Sequence, residues 1–398
     1  MSFWKTDNWQ VTPLDFINEV TASIAPHKKP AIHDITLRDG LESVGIVFGR
    51  EEKIELARAL DDLGISRIEV GLGTSAEEME TVKIIANSGL KANIFTFRTI
   101  QEGRAGIDLA LKYGVSHVVS ATYVSDIGIK SIGSTREQVV AQIIDTITYA
   151  KAHGMYVNFF TIDSTRADLD FVLQAVNVAA NEAHADSVSL VDSYGVTNPE
   201  AVRYLTKKYT EAVKGKVPVE VHCHNDFGLG LANAIAGYTA GAEVIHASFN
   251  GLGNRAGNPA TEEVAVCLRV LYGVDLNLKY EKLFSVCKLV EKQSKWTLAN
   301  NKPVSGSGVF ATESGATFIN MGKPFCSPYN PGFVGQVPEL AFAKRSDIKG
   351  VQEKLRQMNI TATEDQMKSI LKRVQEHVSK YKRALTNEEF DLIVRCST

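Results

Sequence analysis

The densest chemistry in this 398-residue sequence is VEVHCHND, residues 219–226. Side chains alternate along an extended segment, so Glu220, His222 and His224 share one face while Val219, Val221 and Cys223 take the other. Two imidazoles about 7 Å apart along a strand can converge on one ion, and a carboxylate would complete a mixed nitrogen and oxygen ligand set. Such a carboxylate follows another apolar run: in AIHDITLRDGLES, Arg38 and Asp39 come directly after residues that read as a buried strand. A strand that ends in an adjacent cation and anion either turns into solvent or aims both charges at one cavity. The pattern at the other strand ends decides for the cavity.

Eight apolar or β-branched runs alternate with helical patterns from residue 30 to about 272: AIHDITL, RIEVG, ANIFTF, HVVSAT, MYVNFF, SVSLVD, VPVEVH and EVIHASF. Ser134 with Glu137 reads as a capping box before the stripe Val139, Val140, Ile143, Ile144 and Ile147. Asn198 before Pro199 reads as an N-cap with a first-turn proline. Eight strand-helix units of about 30 residues predict an α/β fold, a (β/α)8 TIM barrel, followed by a mainly helical C-terminal extension. In such barrels chemistry collects at the carboxyl ends of strands. There this chain has Arg38 and Asp39, Glu69, Arg98, Ser125 and Asp126, Asp163, Asp192 and Ser193, His222 and His224, then Asn250 and Asn258. NGLGNRAGNPATEE, residues 250–263, is too rich in glycine for strand or helix and reads as a tight loop whose amides could approach a ligand.

With 44% hydrophobic and 22% charged residues and a net charge of -3, the chain suits a soluble, cytoplasmic protein with a large core. It offers no basic block for nucleic acid or an anionic membrane. Five scattered cysteines without CxxC spacing suit a reducing compartment, and no signal peptide or membrane span is indicated. The expected organisation is an N-terminal arm (1–29), the barrel (30–285), a glycine- and proline-rich linker or lid (286–345) and a helical subdomain (346–398). In the last, Thr363 and Gln366 open a helix whose stripe of Met367, Ile370, Leu371, Val374, Val378 and Tyr381 must bury against the barrel or another subunit.

DITLRDG, DSYGVTNP, VHCHND and NGLGNRAGNPATEE occur together and in order. As a set they resemble the DRE-TIM metallolyases (HMGL-like), which include homocitrate, isopropylmalate and citramalate synthases and hydroxymethylglutaryl-CoA lyase. VFATESGATF and the helical tail resemble the condensing branch. The resemblance implies a divalent metal (Mg, Mn, Zn or Co) on Asp39, His222 and His224, with Asn258 a further ligand. It implies that Arg38 stabilises a developing enolate oxygen, that Glu220 orients a water or ligand group, that Tyr329 takes a catalytic part, and that the loop from Gly251 to Gly257 lies near a CoA thioester. The implied substrates are an acyl-CoA and a 2-keto acid, the implied reaction a Claisen-type condensation, with carbon-carbon cleavage as the alternative, and the implied assembly a homodimer. Four positions expected to meet the substrate depart from the relatives' patterns: Glu42 for the family's usual glutamine, Asn158 and Phe160 for the arginine and serine of homocitrate synthases, and Ser193 for threonine. Arg98 is the remaining expected substrate contact. Thr312 and Thr317 stand where condensing enzymes carry histidines, and a threonine hydroxyl is no base near neutral pH.

Overall fold

All eight apolar runs form strands, and the sheet closes on itself. In the computed structural model, which describes residues 3–22, 24, 29–71 and 75–397, the strands are β1 (Ala31–Asp34), β2 (Arg67–Glu69), β3 (Asn93–Thr99), β4 (His117–Tyr123), β5 (Tyr156–Ile162), β6 (Ser187–Asp192), β7 (Val219–Cys223) and β8 (Val244–Ala247). Each pairs in parallel with its successor, and β8 pairs with β1. Register then sets which side chains meet inside. His33 lies beside Arg67 on one flank and His246 on the other, while Ser189 neighbours Glu220 and Val191 neighbours His222.

Among the described residues each strand is followed by a principal helix: α1 (Arg50–Leu63), α2 (Ala76–Ala86), α3 (Gly103–Lys112), α4 (Arg136–Ala152), α5 (Leu169–Asn177), α6 (Pro199–Ala212), α7 (Gly230–Thr239) and α8 (Thr261–Leu271). The N-cap of α6 is Asn198, which accepts from the Ala201 amide ahead of Pro199. The start of α4 lies one residue later than its sequence suggests. Thr135 is the extended residue that accepts from the Gln138 amide, and Gln138 closes the box. Ser134 instead donates to the Gln138 carboxamide, and of the expected stripe Ile144 remains exposed.

Residues 14–279 and 285–297 form one compact unit, containing the barrel; residues 1–13, 280–284 and 298–398 form a second. The second unit holds a two-stranded parallel sheet, β9 (Ala311–Thr312) with β10 (Glu339–Leu340), and the helices α9 (Ile348–Gln357), α10 (Glu364–Tyr381) and α11 (Asn387–Arg395). Thr363 and Gln366 form the capping box of α10. The α10 stripe buries within its own unit, contrary to the expectation of a barrel or subunit partner. Ile370 and Val374 join Phe342, Val351, Leu355, Phe390 and Val394 in one core, with Met367, Leu371 and Val378 at its margin. Tyr381 falls off the stripe and is half exposed. The stripe therefore gives no reason to require a second chain.

Two predictions follow from these packings. Ile370→Ala removes a fully buried branched side chain from the second unit's core and should destabilise that unit by about 2–5 kcal/mol, read from denaturant unfolding. Asp34, on the outward face of β1, accepts from the Thr36 amide and the Thr261 hydroxyl, both at 3.0 Å. Burial outweighs these bonds and lifts its pKa from 3.8 to about 6. The folded state thus keeps a proton that the unfolded chain releases, so this contribution to stability is full below pH 4 and is lost as pH rises to about 6, by about 3 kcal/mol. The wild-type stability minus that of Asp34→Asn, measured by urea unfolding at both pH values, should fall by that amount.

Candidate active site

β7 delivers His222 and His224 to the cavity, and the turn after β1 delivers Asp39. The two Nε2 atoms lie 3.3 Å apart, and the Asp39 Oδ2 is 3.4 Å from one and 3.6 Å from the other. Three donor atoms bound at about 2.1 Å to a common centre stand about 3.0–3.4 Å apart, so the triangle fits a cation. Protonation fits as well. Burial lowers His222 to about 3 and lowers His224. Burial alone would raise Asp39, but Arg38 and the two imidazoles outweigh it and hold the carboxyl far below its usual range. Two neutral rings and an anion therefore face one point. Neither ring has a protein partner at Nδ1, so packing sets their orientation. Phe160 meets His222 edge-on at 5.0 Å, and His246 does so at 5.4 Å.

Arg38 lies beside this triangle. Its Nε donates to Glu69 Oε1 at 2.7 Å, its NH1 to Glu42 Oε1 at 3.2 Å, and NH1 is 3.6 Å from Asp39 Oδ2. The guanidinium covers the Phe97 ring at 4.7 Å. Its NH2 is buried and has no hydrogen-bond partner, leaving a donor for another molecule. A lone carboxylate at Glu42 would repel an anion. The structure pairs it with Arg38 and with the Asn254 carboxamide, although burial and then Asp39 still raise its pKa.

Beneath the triangle the barrel interior is charged where branched aliphatic layers usually pack. Arg67 NH2 donates to Glu220 Oε1 at 2.7 Å, and His246 Nε2 bonds Glu220 Oε2 at 2.7 Å. Arg67 Nε meets His33 Nδ1 at 3.2 Å, and His33 Nε2 meets Glu69 Oε2 at 3.1 Å. Three buried carboxylates, Asp39, Glu69 and Glu220, thus face two guanidinium groups. Buried charge left unpaired is costly. The surplus of negative charge is a second reason why the Asp39, His222 and His224 set suits a divalent cation.

The structure revises several expected substrate contacts. Arg98 is not in the cavity: Phe95 and Phe97 are the inward residues of β3, so Arg98 points outward, 3.0 Å from Met79 Sδ and 3.7 Å from Glu102. Asn158 does face inward, but both ends of its carboxamide bond the hydroxyls of Ser187 and Ser189 on β6. Glu220, expected to orient a ligand, spends both oxygens on Arg67 and His246. Ser193 holds the Asp163 amide with its hydroxyl at 2.7 Å. Phe160 does adjoin the Asp39, His222 and His224 triangle, through His222. Asn258 donates to the Leu252 carbonyl while its buried Oδ1 has no partner, which leaves an oxygen of the kind a ligand needs. Tyr329 belongs to the second unit, where its ring packs edge-on against Phe310 and Phe333.

Much of the glycine-rich loop closes on protein, while the Arg255 and Ala256 amides at its tip are not among its hydrogen-bond donors. Gly253 exchanges bonds with Ser43, the Asn254 amide points to Asp39 Oδ1 at 3.3 Å, and Arg255 clasps Asp226 and the Ser193 carbonyl. Gly257 has φ +81°, and a Cβ there would collide with the Gly251 carbonyl. Sequence reasoning missed His33, Arg67, His246 and Phe97. Parity was the available signal: each lies an even number of residues from an inward neighbour on its own strand.

Comparisons with known proteins bear on the family and the fold. The HMGL-like family pattern matches residues 29–290. A putative (R)-citramalate synthase CimA of Archaeoglobus fulgidus is 39% identical over 358 residues, covering 88% of this chain and 72% of that protein. Homocitrate synthase AksA of Methanothermobacter thermautotrophicus is 37% identical over 369 residues, covering 92% and 93%. The HMG-CoA lyase of Bacillus subtilis shares the fold at TM-score 0.59 and 22% identity, over 68% of this chain and 96% of that one. Among the described residues no helix is long and apolar enough to cross a membrane, and all five cysteines are free thiols.

Calorimetric titration with Mn should show His222→Ala and Asp39→Asn each losing more than about 100-fold in affinity, because each would remove one of the three candidate donors rather than a supporting bond. Arg98→Met should bind Mn like the wild type.

Proposed function

Because the chain belongs to the HMGL-like family, we propose that it is a divalent-metal-dependent acyltransferase that joins the α-carbon of an acyl-CoA, acetyl-CoA foremost, to the carbonyl carbon of a 2-keto acid, the α-carbon losing a proton and the new alkoxide gaining one, after which water cleaves the thioester and CoA leaves. The observation that carries this reading is the buried, unpartnered NH2 of Arg38 next to the Asp39, His222 and His224 triangle. A divalent ion held by those three residues, with Asn258 as a further donor, would polarise the keto carbonyl as a Lewis acid. Arg38 donates to the oxygen on which charge develops, from a guanidinium held by Glu69 and Glu42 and shielded on one face by Phe97. A donor fixed before reaction stabilises that charge without reorganising.

The acceptor's side chain meets aromatic and aliphatic surface. Phe97 and Phe160 stand edge to face at 5.7 Å, and Ile162 packs against the same cluster. The arginine of β3 points away, Asn158 is committed to two serines, and Arg166 is engaged by Asp163 at 2.7 and 2.9 Å. A second carboxylate on the acceptor has no charged partner among these residues, which favours pyruvate or a branched apolar keto acid over 2-oxoglutarate. Carbon-carbon cleavage on the same groups is the second reading, favoured by Thr312 and Thr317 in place of histidines.

Thiol release from acetyl-CoA with Mg or Mn and a panel of keto acids tests both readings. Release should require the keto acid and vanish in His222→Ala, and kcat/KM for pyruvate or 2-oxoisovalerate should exceed that for 2-oxoglutarate by at least about tenfold. Metal binding without thiol release for any acceptor would shift the assignment to cleavage of a hydroxy acid.

A further inference from the structure

We propose that His33 is a positioning residue that aims Arg38 through Glu69, held in a single tautomer by Arg67. The proposal takes Arg38 to act as described above and adds a residue outside the site itself. His33 is fully buried, and its hydrogen bonds and ring contacts go to Glu69, Arg67, Phe95 and His246 rather than to the metal triangle or to Arg38. Its partners nevertheless leave it one arrangement. An arginine Nε can only donate, so the contact from Arg67 Nε at 3.2 Å makes His33 Nδ1 the acceptor. A neutral ring must then carry its proton on Nε2, where Glu69 Oε2 waits at 3.1 Å. With that oxygen occupied, Glu69 presents Oε1 to Arg38 Nε at 2.7 Å. The guanidinium is planar, so fixing Nε fixes where NH1 and NH2 point. The ring itself has no freedom to turn, being stacked on His246 at 4.4 Å and 8° and flanked by Phe95 at 4.7 Å.

His33, Glu220 and His246 also have the spacing of metal ligands. Arg67 already bonds both His33 and Glu220 there, so the protein supplies the cation and the group is a relay. The relay runs from Arg67 through His33 and Glu69 to Arg38 without a break, each bond between a donor and an acceptor whose roles follow from Arg67.

His33→Phe keeps a flat ring on His246 and deletes both bonds. It should lower kcat about 100-fold, with the KM for acetyl-CoA and the Mn affinity each within about threefold of wild type. Added to Arg38→Met, it should cost less than about threefold more. His33→Gln, which restores an acceptor and a donor, should recover part of the loss and replaces the phenylalanine variant if that one fails to fold. A full loss on top of Arg38→Met, or a parallel fall in Mn affinity, would overturn the proposal. A readout independent of turnover is the nitrogen spectrum of 15N-histidine-labelled wild type. The His33 resonances, assigned by their absence from the variants, should show the proton on Nε2; a proton on Nδ1 overturns the relay. If the wild type releases no thiol, the functional reading fails, while the tautomer still decides the relay.

Discussion

Everything at this site depends on the need to pair charge inside a closed barrel. Arg38 and Asp39 are useful because they are dry, and they can be dry only because Glu69, Glu42 and the two imidazoles surround them. Glu69 in turn needs His33, and Glu220 needs Arg67 and His246. Burial would neutralise most of these groups singly. Glu220 shows the balance: burial pushes its pKa up, and Arg67 with His246 reverses that and holds it far below the ordinary carboxylate range. Removing one partner from such a set leaves a buried charge behind, which costs more than the pair contributed.

That constraint separates what could be read in the sequence from what could not. His222, His224 and Asp39 were legible because strand parity and strand ends are local features. The capping pair of α6 was legible for the same reason. Arg98 was misplaced by its position at a strand end, taken without the parity that Phe95 and Phe97 set; one residue along a strand reverses the direction of a side chain. Asn158 was expected to meet the substrate; it does face the interior, but its saturation by Ser187 and Ser189 depends on the β5 to β6 register, which no single segment encodes. His33 and His246 lie 213 positions apart in the chain and stack only because β8 closes on β1.

The second unit shows the limit of a different signal. Amphipathic period identified α10 and its buried residues, yet the period says only that a face must be covered. The cover turned out to be α9 and α11, with the Phe342 and Phe390 rings stacked at 3.9 Å.

The closure of β8 onto β1 also orders events during synthesis. β1 emerges first, carrying His33 and leading into Arg38 and Asp39, and its second flank stays unpaired until more than 200 further residues have been added. Contacts of such sequence separation form late and slowly. Until β7 and β8 emerge the charged interior has neither Glu220 nor His246, so Arg67 lacks its carboxylate and the half-built sheet keeps an open edge, the feature that invites pairing with other chains. The same arrangement that makes a dry arginine possible leaves the half-built sheet with an unpaired edge until its last strand arrives.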